Sequence, residues 1–555
     1  MKRILSGFVI LLMLALVAGA CGGGGADTGN SPDAVSPESG VLRIPGPEPQ
    51  TLDPALAGDV ASAFYVNEIF GGLLTWLPES AAPENVPCYN FSGRIYCLAP
   101  DIAENIPEPQ FNSDGTVSYT FELRHNVYFH RGRQVTAQDF KYSFERALDP
   151  RTGSTTAELY LWDIMGARDM ARSRVKTADG IGVVNDFTLK LTTERYNAVF
   201  LLKLTYPTSF VVDKEQVRGN QTWFNLPNGT GPFRCVECRV SRSKVVLEPN
   251  KSYHLGAPKL SRVDISFAGG SAPTQYADGV VDVSGVALVE IEDVRSPGNP
   301  LSKELHETPE LGTFYVAFNT EKAPFDDPLV RRAFAMAIDK DLIARSDLKD
   351  AVDVAQTIVP PSMPGYTPPA DAAIPFDPAR AKELLASSRY GKNFPEVTLL
   401  ATSAGASPGS VTQRIVAMWE QNLGVKVNVQ QLGDFAQFIA TMRRGDYQMT
   451  QFGWVADYPD PEDFLDLKFH SQRSRANNET RYANAEVDQL LEQARGEKDS
   501  ARRMELYQQA ERLILADAPW IPLFHEKNIM LVKPYVQGYE PPPMAIPFLR
   551  YVEVK

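Results

Sequence analysis

The sequence contains little histidine and cysteine, and it has no excess of basic residues. Only 6 histidines and 5 cysteines occur in 555 residues, and 55 lysines and arginines are outnumbered by 68 aspartates and glutamates. The net charge of -13 excludes nucleic acid as a general partner, because a phosphate backbone is bound by basic surfaces. The 39 glycines and 42 prolines follow no repeating period, which excludes a collagen-like chain.

The chain also lacks an apolar segment long enough to span a membrane. Residues 7–20 form an apolar run that is shorter than the roughly 20 residues a spanning helix needs, and no later segment supplies one. With 43% hydrophobic residues, 22% charged residues and a mean hydropathy of -0.23, the composition is typical of a soluble globular protein. The length allows about three to five structural units, at roughly 100 to 200 residues each.

The N-terminus has the features of an export signal. Lys2 and Arg3 precede the apolar run, and small residues directly precede Cys21. This junction resembles the lipobox of bacterial lipoproteins, in which a lipidated cysteine becomes the mature N-terminus, although Ala18 stands where leucine is favoured. We predict a signal peptide over residues 1–20, a lipid anchor on Cys21 and a flexible tether that ends near residue 40. An ordinary signal peptide with an incidental cysteine is the alternative.

Four cysteines remain for the exported protein, and disulfides are common in that environment. Cys88 and Cys97 flank a segment that can close as a hairpin loop, so we predict a local disulfide between them. Cys235 and Cys238 form a CxxC in a segment with the pattern of a strand. A disulfide there needs a turn or a bulge, because residues three apart in an extended strand lie about 10 Å apart. A redox pair and a four-cysteine zinc site are the alternatives.

Helix and strand patterns alternate along the chain. Residues 117–123 alternate with period two, which predicts a half-buried strand. Thr136 and Asp139 resemble a capping box ahead of a helix that Pro150 ends, and another helix is predicted over about 500–517. The mixture predicts an α/β protein with more than one lobe.

A series of motifs runs through the mature chain. They are PQTLDP (49–54), YVNEIFGGLL (65–74), FELRHNVYFH (121–130), VTAQDF (135–140), NGTGPF (228–233), FYVAFNT (314–320), GWVADYPDP (453–461) and APWIPL (518–523). In this order they resemble the large solute-binding proteins of oligopeptide and dipeptide ABC importers, which are the bacterial extracellular solute-binding proteins of family 5. The resemblance covers nearly the whole mature chain. Chance matches to short motifs would not extend over so much of the chain in the same order.

The resemblance implies an α/β fold with two lobes. It is the type II periplasmic-binding-protein-like fold of the large peptide-binding class, with an extra subdomain inserted in the first lobe. The expected divisions are a first lobe at 41–80, 215–307 and 525–555, an inserted subdomain at 81–214 and a second lobe at 308–524. The chain is expected to cross between the lobes near 308–314 and near 522–527.

The resemblance also implies a function in transport, with no enzymatic reaction and no cofactor. Such proteins hold a ligand in the cleft between the lobes, close around it and deliver it to the membrane permease of an ABC importer. The expected ligand is a peptide, held mainly through its backbone. A non-peptide ligand, such as a nickel chelate, an oligosaccharide or another small solute, is the alternative. We expect a monomer at the cell surface or in the periplasm, attached to the membrane only through its lipid.

One site residue follows from the family motif. In peptide-binding members an aspartate on the second lobe pairs with the α-ammonium group of the peptide, and Asp457 matches it. Trp454 and Tyr458 are expected to be aromatic walls beside it. For Asp457 the alternative is a cap of the helix that begins near Pro461, and for Trp454 it is packing in the core.

The other end of the ligand is less determined by the sequence. Arg443 and Arg444 lie just upstream and could receive a carboxylate, although exposed arginines are more often only solvated. Gln451 stands close to where some members carry a basic residue for the C-terminus of the peptide. The sequence therefore leaves the length and identity of a peptide open.

Single motifs suggest other chemistry, and their details disfavour it. Residues 405–409 match the GxSxG pattern of a lipid-anchored hydrolase with Ser407 as the nucleophile, but Pro408 has no backbone N–H for the oxyanion. The acidic run at 457–466 could suggest calcium, yet it lacks the glycine of an EF-hand loop. The histidines show no spacing typical of a metal site, so no metal is expected.

Overall fold

A computed structural model of the chain describes residues 38–238, 243–267, 272–402, 409–544 and 546–555. The predicted signal peptide and Cys21 lie outside these residues, and so do Ser407 and Pro408. None of the helices in the described ranges combines the length and apolar character that a bilayer crossing requires.

Segments far apart in the chain form a four-stranded sheet in the order β1-β11-β10-β9. Its strands are β1 (Val41–Pro45), β9 (Phe233–Glu237), β10 (Lys244–Pro249) and β11 (Arg262–Ser266). The short pair β20 (Val536–Gln537) and β21 (Glu553–Val554) contributes to the same apolar cluster as this sheet. Residues near both ends of the chain therefore share one core with residues near 210–265.

The largest sheet has eight strands and the order β12-β19-β14-β18-β16-β17, with β13 and β15 also paired to β19. Its strands are β12 (Val283–Gly285), β13 (Leu305–Pro309), β14 (Gly312–Phe318), β15 (Val352–Val354), β16 (Val397–Thr402), β17 (Val427–Leu432), β18 (Met449–Val455) and β19 (Trp520–Val532). The first part of β19 pairs with β14 and β15, and its last six residues pair with β12 and β13. One continuous strand therefore belongs to both parts of the sheet.

Two smaller sheets lie between residues 74 and 193. One has the order β2-β4-β3, and the other has the order β5-β6-β8-β7. Their strands are β2 (Leu74–Pro78), β3 (Cys88–Phe91), β4 (Arg94–Pro100), β5 (Gln110–Phe111), β6 (Val117–Glu122), β7 (Ile181–Asn185) and β8 (Thr188–Thr193). The predicted strand over 117–123 is confirmed, ending one residue earlier, and Val117, Tyr119 and Phe121 are buried on one face.

The cysteines form two short-range disulfides. Cys88 lies directly opposite Cys97 in the β3–β4 hairpin, with their Cα atoms 3.9 Å apart, so this bond joins the two strands. Cys235 and Cys238 are also joined, with their Cα atoms 5.8 Å apart. The register between β9 and β10 shifts beside Cys235, which is the irregularity that such a bond requires. In the described residues, no group of three or more His, Cys, Asp or Glu side chains is placed to hold a metal ion.

Helices cover the sheets and begin largely where local capping signals predict. They are α1 (Val60–Ile69), α2 (Ala137–Leu148), α3 (Ala157–Leu161), α4 (Ala167–Ala171), α5 (Phe200–Lys203), α6 (Lys214–Val217), α7 (Ala272–Ala277), α8 (Ile291–Arg295), α9 (Pro328–Met336), α10 (Lys340–Leu342), α11 (Pro378–Ser387), α12 (Ser410–Leu423), α13 (Phe435–Arg444), α14 (Glu462–Phe469), α15 (Ala485–Gly496) and α16 (Ser500–Asp517). Short 3₁₀ turns occur at Glu79–Ala81, Pro207–Ser209, Trp223–Asn225, Pro300–Lys303, Ala370–Ala372 and Leu549–Tyr551, and a π-helical turn at Ile343–Asp347. The capping box of Thr136 and Asp139 is present, and the predicted helix over 500–517 is confirmed.

The largest apolar cluster joins the segment around 74–206 to the segment around 456–520. Trp76 and Tyr160 come from the first segment, and Phe464 and Trp520 come from the second. These two parts of the chain therefore pack directly on each other. The lobe boundaries given above stay a prediction.

A glycine at a close approach between backbones offers a test of the packing at the end of α1. A Cβ atom on Gly229 would lie 2.0 Å from the carbonyl oxygen of Ile69, at the end of α1. We expect Gly229→Ala to lower the free energy of unfolding by about 1 to 3 kcal/mol, because rigid backbone must move to admit the methyl group. The control is Gly496→Ala, where nothing lies within 4 Å of the new atom. Equal melting temperatures for the two variants would contradict this account.

Candidate functional site

The motif GWVADYPDP leaves the centre of the large sheet and enters a buried helix. Strand β18 lies between β14 and β16, and the backbone N–H of Ala456 donates to the carbonyl of Leu311 at 2.7 Å. Helix α14 begins a few residues later, and the carboxylate of Asp460 accepts from the backbone N–H of Glu462 at 3.0 Å. The N-cap position is Pro461, and the side chain that accepts from the first N–H of the helix is that of Asp460, so the alternative that Asp457 is the cap is wrong.

The side chain of Asp457 contacts a tyrosine from a distant part of the chain. The hydroxyl of Tyr160, on α3, donates to the carboxylate of Asp457. The ring of Tyr160 stacks on that of Tyr206, with centroids 4.0 Å apart and planes 7° apart. Asp457 is partly buried, and Tyr160 is 1% exposed. The carboxylate therefore lies at the contact between the two packed segments of the chain.

A second acid, Asp463, accepts hydrogen bonds from Asp457 and from the neighbouring Trp454. Its Oδ2 atom accepts from the backbone N–H of Asp457 at 2.8 Å and from the indole N–H of Trp454 at 3.3 Å. The Nζ atom of Lys468 lies 4.1 Å from the centroid of the Trp454 ring. Trp454 is partly buried, so it is neither a free surface residue nor a fully enclosed core residue.

The other buried acids around this site each have a basic partner. The pairs are Asp460 with Arg503 at 2.6 Å, Glu462 with Lys203 at 3.3 Å, Asp466 with Arg495 at 2.5 Å, and Glu479 with Lys468 at 3.1 Å. Among the described residues, no lysine, arginine or histidine nitrogen lies within 4.0 Å of the carboxylate of Asp457 or Asp463. A buried carboxylate without a cation is costly, so these two acids require a proton or a cation from outside the chain.

The pKa values of these acids differ according to whether each acid has a basic partner. Burial raises the pKa of Asp457 to about 7, against smaller opposing effects of Tyr160 and Lys468. Burial, and then the charge of Asp457, hold the pKa of Asp463 well above its usual range. Burial acts in the same direction on Asp466, but Arg473 and Arg495 outweigh it and bring its pKa below the usual range.

An ion network crosses the same contact between segments. Lys203, at the end of α5, is buried and reaches Asp163 at 3.1 Å as well as Glu462. Glu462 also accepts from Arg473 at 3.1 Å, and Arg473 contacts Asp466. The segment around 163–203 supplies one acid and one base, while the segment around 462–495 supplies two of each. Each side is therefore neutral by itself.

The remaining residues named from the sequence occupy different positions. Tyr458 is 3% exposed, packs in the apolar cluster and donates its hydroxyl to Glu462. Arg444 is exposed and paired with Asp446 at 2.7 Å. Arg443 lines a crevice of about 390 Å³ between the two segments. Its guanidinium has no acidic group within 4.0 Å in the part of the chain that the structure describes.

The crevice and the Asp457 contact involve different residues of helix α3. Glu158 lines the crevice and accepts from the backbone N–H of Ser474 at 3.3 Å, whereas Tyr160 reaches Asp457. Neither Tyr160 nor Asp457 lines the crevice that Arg443 lines.

Sequence reasoning did not find Tyr160, Lys203 or the role of Asp463. Tyr160 and Lys203 lie in segments more than 250 residues away from their partners, and no local pattern marks them. Asp463 belongs to the acidic run at 457–466, for which calcium binding is one interpretation of the sequence. The pairing of Glu462 and Asp466 with basic side chains explains that run as part of an ion network.

Comparison with known proteins adds a family match. Residues 98–476 match the family described as bacterial extracellular solute-binding proteins, family 5 Middle. The chain is 29% identical over 513 residues to the periplasmic murein peptide-binding protein MppA of Escherichia coli, with 89% of this chain and 88% of that protein covered. It is 28% identical over 542 residues to the oligopeptide-binding protein OppA of Bacillus subtilis, with 94% of each covered. It is 29% identical over 463 residues to heme-binding protein A of Haemophilus influenzae, with 80% and 83% covered.

Solved structures show the same two-lobed α/β fold, so the predicted fold class is confirmed. The structure of the Escherichia coli murein tripeptide binding protein MppA gives a TM-score of 0.77 at 27% identity, with 94% of this chain and 99% of that chain covered. The unliganded open form of MppA gives a TM-score of 0.67 at 28% identity and the same coverage. This chain therefore superposes better on the first structure than on the open form.

The raised pKa of Asp457 predicts a pH dependence of stability. Between about pH 4 and 7 the folded protein holds a proton that the unfolded chain has released, so this group stabilises the fold at low pH and the effect is lost as the pH rises through 7. Asp457→Asn should remove that loss, on the order of 2 to 4 kcal/mol between pH 4 and 8. Guanidinium unfolding of both proteins across this range measures it, and parallel pH profiles would exclude it.

Proposed function

This chain belongs to the bacterial extracellular solute-binding proteins of family 5, and on that premise we propose that it is the substrate-binding lipoprotein of an ABC importer. It captures peptides in the cleft between its lobes, closes around them and delivers them to a membrane permease. It catalyses no reaction, and the lipid on Cys21 keeps it at the membrane. The observation that carries the proposal is the partly buried carboxylate of Asp457, which lies at the contact between segments without a basic partner among the described residues.

The electrostatics of the site favour a ligand with a positive charge. Apart from Asp463, the buried acids around Asp457 are each paired with a basic side chain, and Tyr160 supplies only a neutral donor. An ammonium group would provide the missing cation, with three donors for the carboxylate and for nearby acceptors. The free N-terminus of a peptide carries such a group, and relatives of this chain are named for binding murein peptides and oligopeptides.

We place the cleft between the second lobe, residues 308–524, and the first lobe with its inserted subdomain at 81–214. Tyr160 and Lys203 then belong to the inserted subdomain, and Asp457 and Glu462 belong to the second lobe. The contact between Lys203 and Glu462 crosses the cleft. Because the network is neutral on each side, the lobes can separate without leaving a net buried charge on either one.

The carboxylate end of a peptide has one candidate partner in the described residues near the cleft. Arg443 lies in the crevice between the segments and has no acidic partner there, whereas Arg444 is already paired with Asp446. Asp457 does not line this crevice.

A non-peptide ligand remains the second candidate, because a relative of similar identity is named for binding heme. Such a ligand would not need a free amine at Asp457. A hydrolase using Ser407 is the remaining alternative from another class, and Pro408 argues against it through its missing N–H. Turnover of an acyl substrate that is abolished in Ser407→Ala would support the hydrolase.

The requirement for a free amine tests the proposed ligand class. We expect peptides of two to five residues with free amino termini to bind, and the same peptides to bind far more weakly after N-acetylation. Asp457→Asn should weaken the binding of free peptides by about 2 to 5 kcal/mol, roughly 30-fold to several-thousand-fold, because it removes one partner of a desolvated charge pair. Native mass spectrometry and calorimetry measure both effects.

The control for this experiment is Asp446→Asn, which removes an exposed acid of the same lobe. Its affinity should equal that of the wild type. Equal binding of acetylated and free peptides, or unchanged affinity in Asp457→Asn, contradicts the ammonium site. Binding of a non-peptide solute with no peptide binding would support the second candidate instead.

Closure of the lobes can be tested through Lys203. Lys203→Met removes the contact with Glu462 across the cleft while both acids remain, so the closed form should lose stability relative to the open form. We expect peptide affinity to fall about 10- to 100-fold. In small-angle X-ray scattering with ligand present, Lys203→Met should show a larger mean radius of gyration than the wild type.

Arg495→Met is the matched control, since Arg495 contacts Asp466 within the same lobe. It should leave the compaction on ligand binding unchanged. Normal compaction and affinity in Lys203→Met would refute a role of the Lys203–Glu462 contact in closure. Equal defects in the two variants would also refute it.

A further inference from the structure

Asp463 occupies an unusual position beside Asp457. It is the second residue of α14 and is 0% exposed. Its Oδ2 atom accepts two hydrogen bonds, from the backbone of Asp457 at 2.8 Å and from the indole of Trp454 at 3.3 Å. One buried side chain therefore ties the Asp457 loop to the aromatic ring beside it.

The other carboxylate oxygen of Asp463 accepts no hydrogen bond from the described residues. Oδ1 is buried and has no hydrogen-bond partner in the described residues. No basic group within the same residues lies within ion-pair distance of the carboxylate, although the adjacent acid Glu462 and the nearby acid Asp466 both have such partners. An acid that is buried, unpaired and next to a second acid is expected to keep its proton, because two adjacent carboxylates without a cation repel each other.

The titratable groups that face Asp457 and Asp463 do not neutralise the negative charge of these two acids. They are Tyr160 on α3, Tyr206 after α5, Tyr458 before α14, and Glu462 and Lys468 on α14. The tyrosines are neutral, Glu462 is paired with Lys203 and Arg473, and Lys468 is paired with Glu479. Of the two acids, Asp457 is the one that receives a hydrogen bond from Tyr160 and is partly exposed, so it is the one that ionises first.

We propose that Asp463 is a positioning residue that acts as a neutral acid, holding Asp457 and Trp454 in the orientation that receives the amine of the ligand. This inference rests on the proposed function, because it assumes that Asp457 binds an amine. An asparagine has the same shape as a protonated aspartate and can accept the same two N–H groups through its carbonyl oxygen. An alanine leaves both N–H groups without a partner.

The pair of variants Asp463→Ala and Asp463→Asn tests this role. The probes are a mixed-sequence library of peptides of two to five residues with free amino termini and the same library after N-acetylation. In Asp463→Ala we expect the affinity for free peptides to fall about 10- to 100-fold, with a loss of discrimination against acetylated peptides. In Asp463→Asn we expect affinity within about threefold of the wild type, and the same pH midpoint of binding.

General damage to the fold would weaken both libraries equally and would lower the melting temperature of both variants, so discrimination between the libraries is the informative readout. Unchanged discrimination in Asp463→Ala overturns the positioning role. A defect in Asp463→Asn as large as that in Asp463→Ala, or a shift of its pH midpoint by more than about one unit, overturns the neutral state.

Failure of the proposed function has a different signature. If the wild type binds both libraries equally, or if Asp457→Asn has no effect, then the amine site itself is wrong and the role of Asp463 is overturned with it. If Asp457→Asn loses discrimination and Asp463→Ala keeps it, the amine site stands and only the role of Asp463 is overturned.

Discussion

Burial of negative charge is the constraint that organises the region between residues 457 and 479. A carboxylate removed from water needs a cation or a set of donors, and most acids here obtain a lysine or an arginine. Asp466 contacts Arg473 and Arg495, and Glu462 contacts Lys203 from a distant segment. Among the described residues, Asp457 and Asp463 have only neutral donors. The proposed amine of the ligand would supply the positive charge that these two acids lack.

Strand β19 belongs to both parts of the large sheet, and the loop that carries Asp457 is attached close to where these parts meet. The strand pairs with β14 and β15 through its first part and with β12 and β13 through its last part. The backbone N–H of Ala456 donates to Leu311, in the connection between β13 and β14. The loop that carries Asp457 is thus attached to the place where the chain passes from one part of the large sheet to the other. Movement of the lobes and occupancy of the site are expected to be coupled through this connection.

Local signals in the sequence predicted local structure well. The capping box of Thr136 and Asp139, the alternation over 117–123 and the helix over 500–517 depend on residues within a few positions of each other, and each is present. The family motif around Asp457 also pointed to the loop that carries the candidate site, whose role in binding stays a prediction. The helix-cap alternative for Asp457 was wrong because Asp460, three residues later, reaches the free N–H of Glu462.

The amino-acid sequence by itself determined the class of fold, the family motifs and the identity of the acid at the centre of the candidate site. Only the tertiary structure decided which groups meet that acid. Tyr160 donates to Asp457 across 297 positions of sequence, and Lys203 reaches Glu462 across 259. Periodicity and capping record interactions between near neighbours, whereas these contacts depend on how two packed segments of the chain are oriented. Whether a buried acid is left with or without a cation is a property of that packing, and so it is visible only in the folded chain.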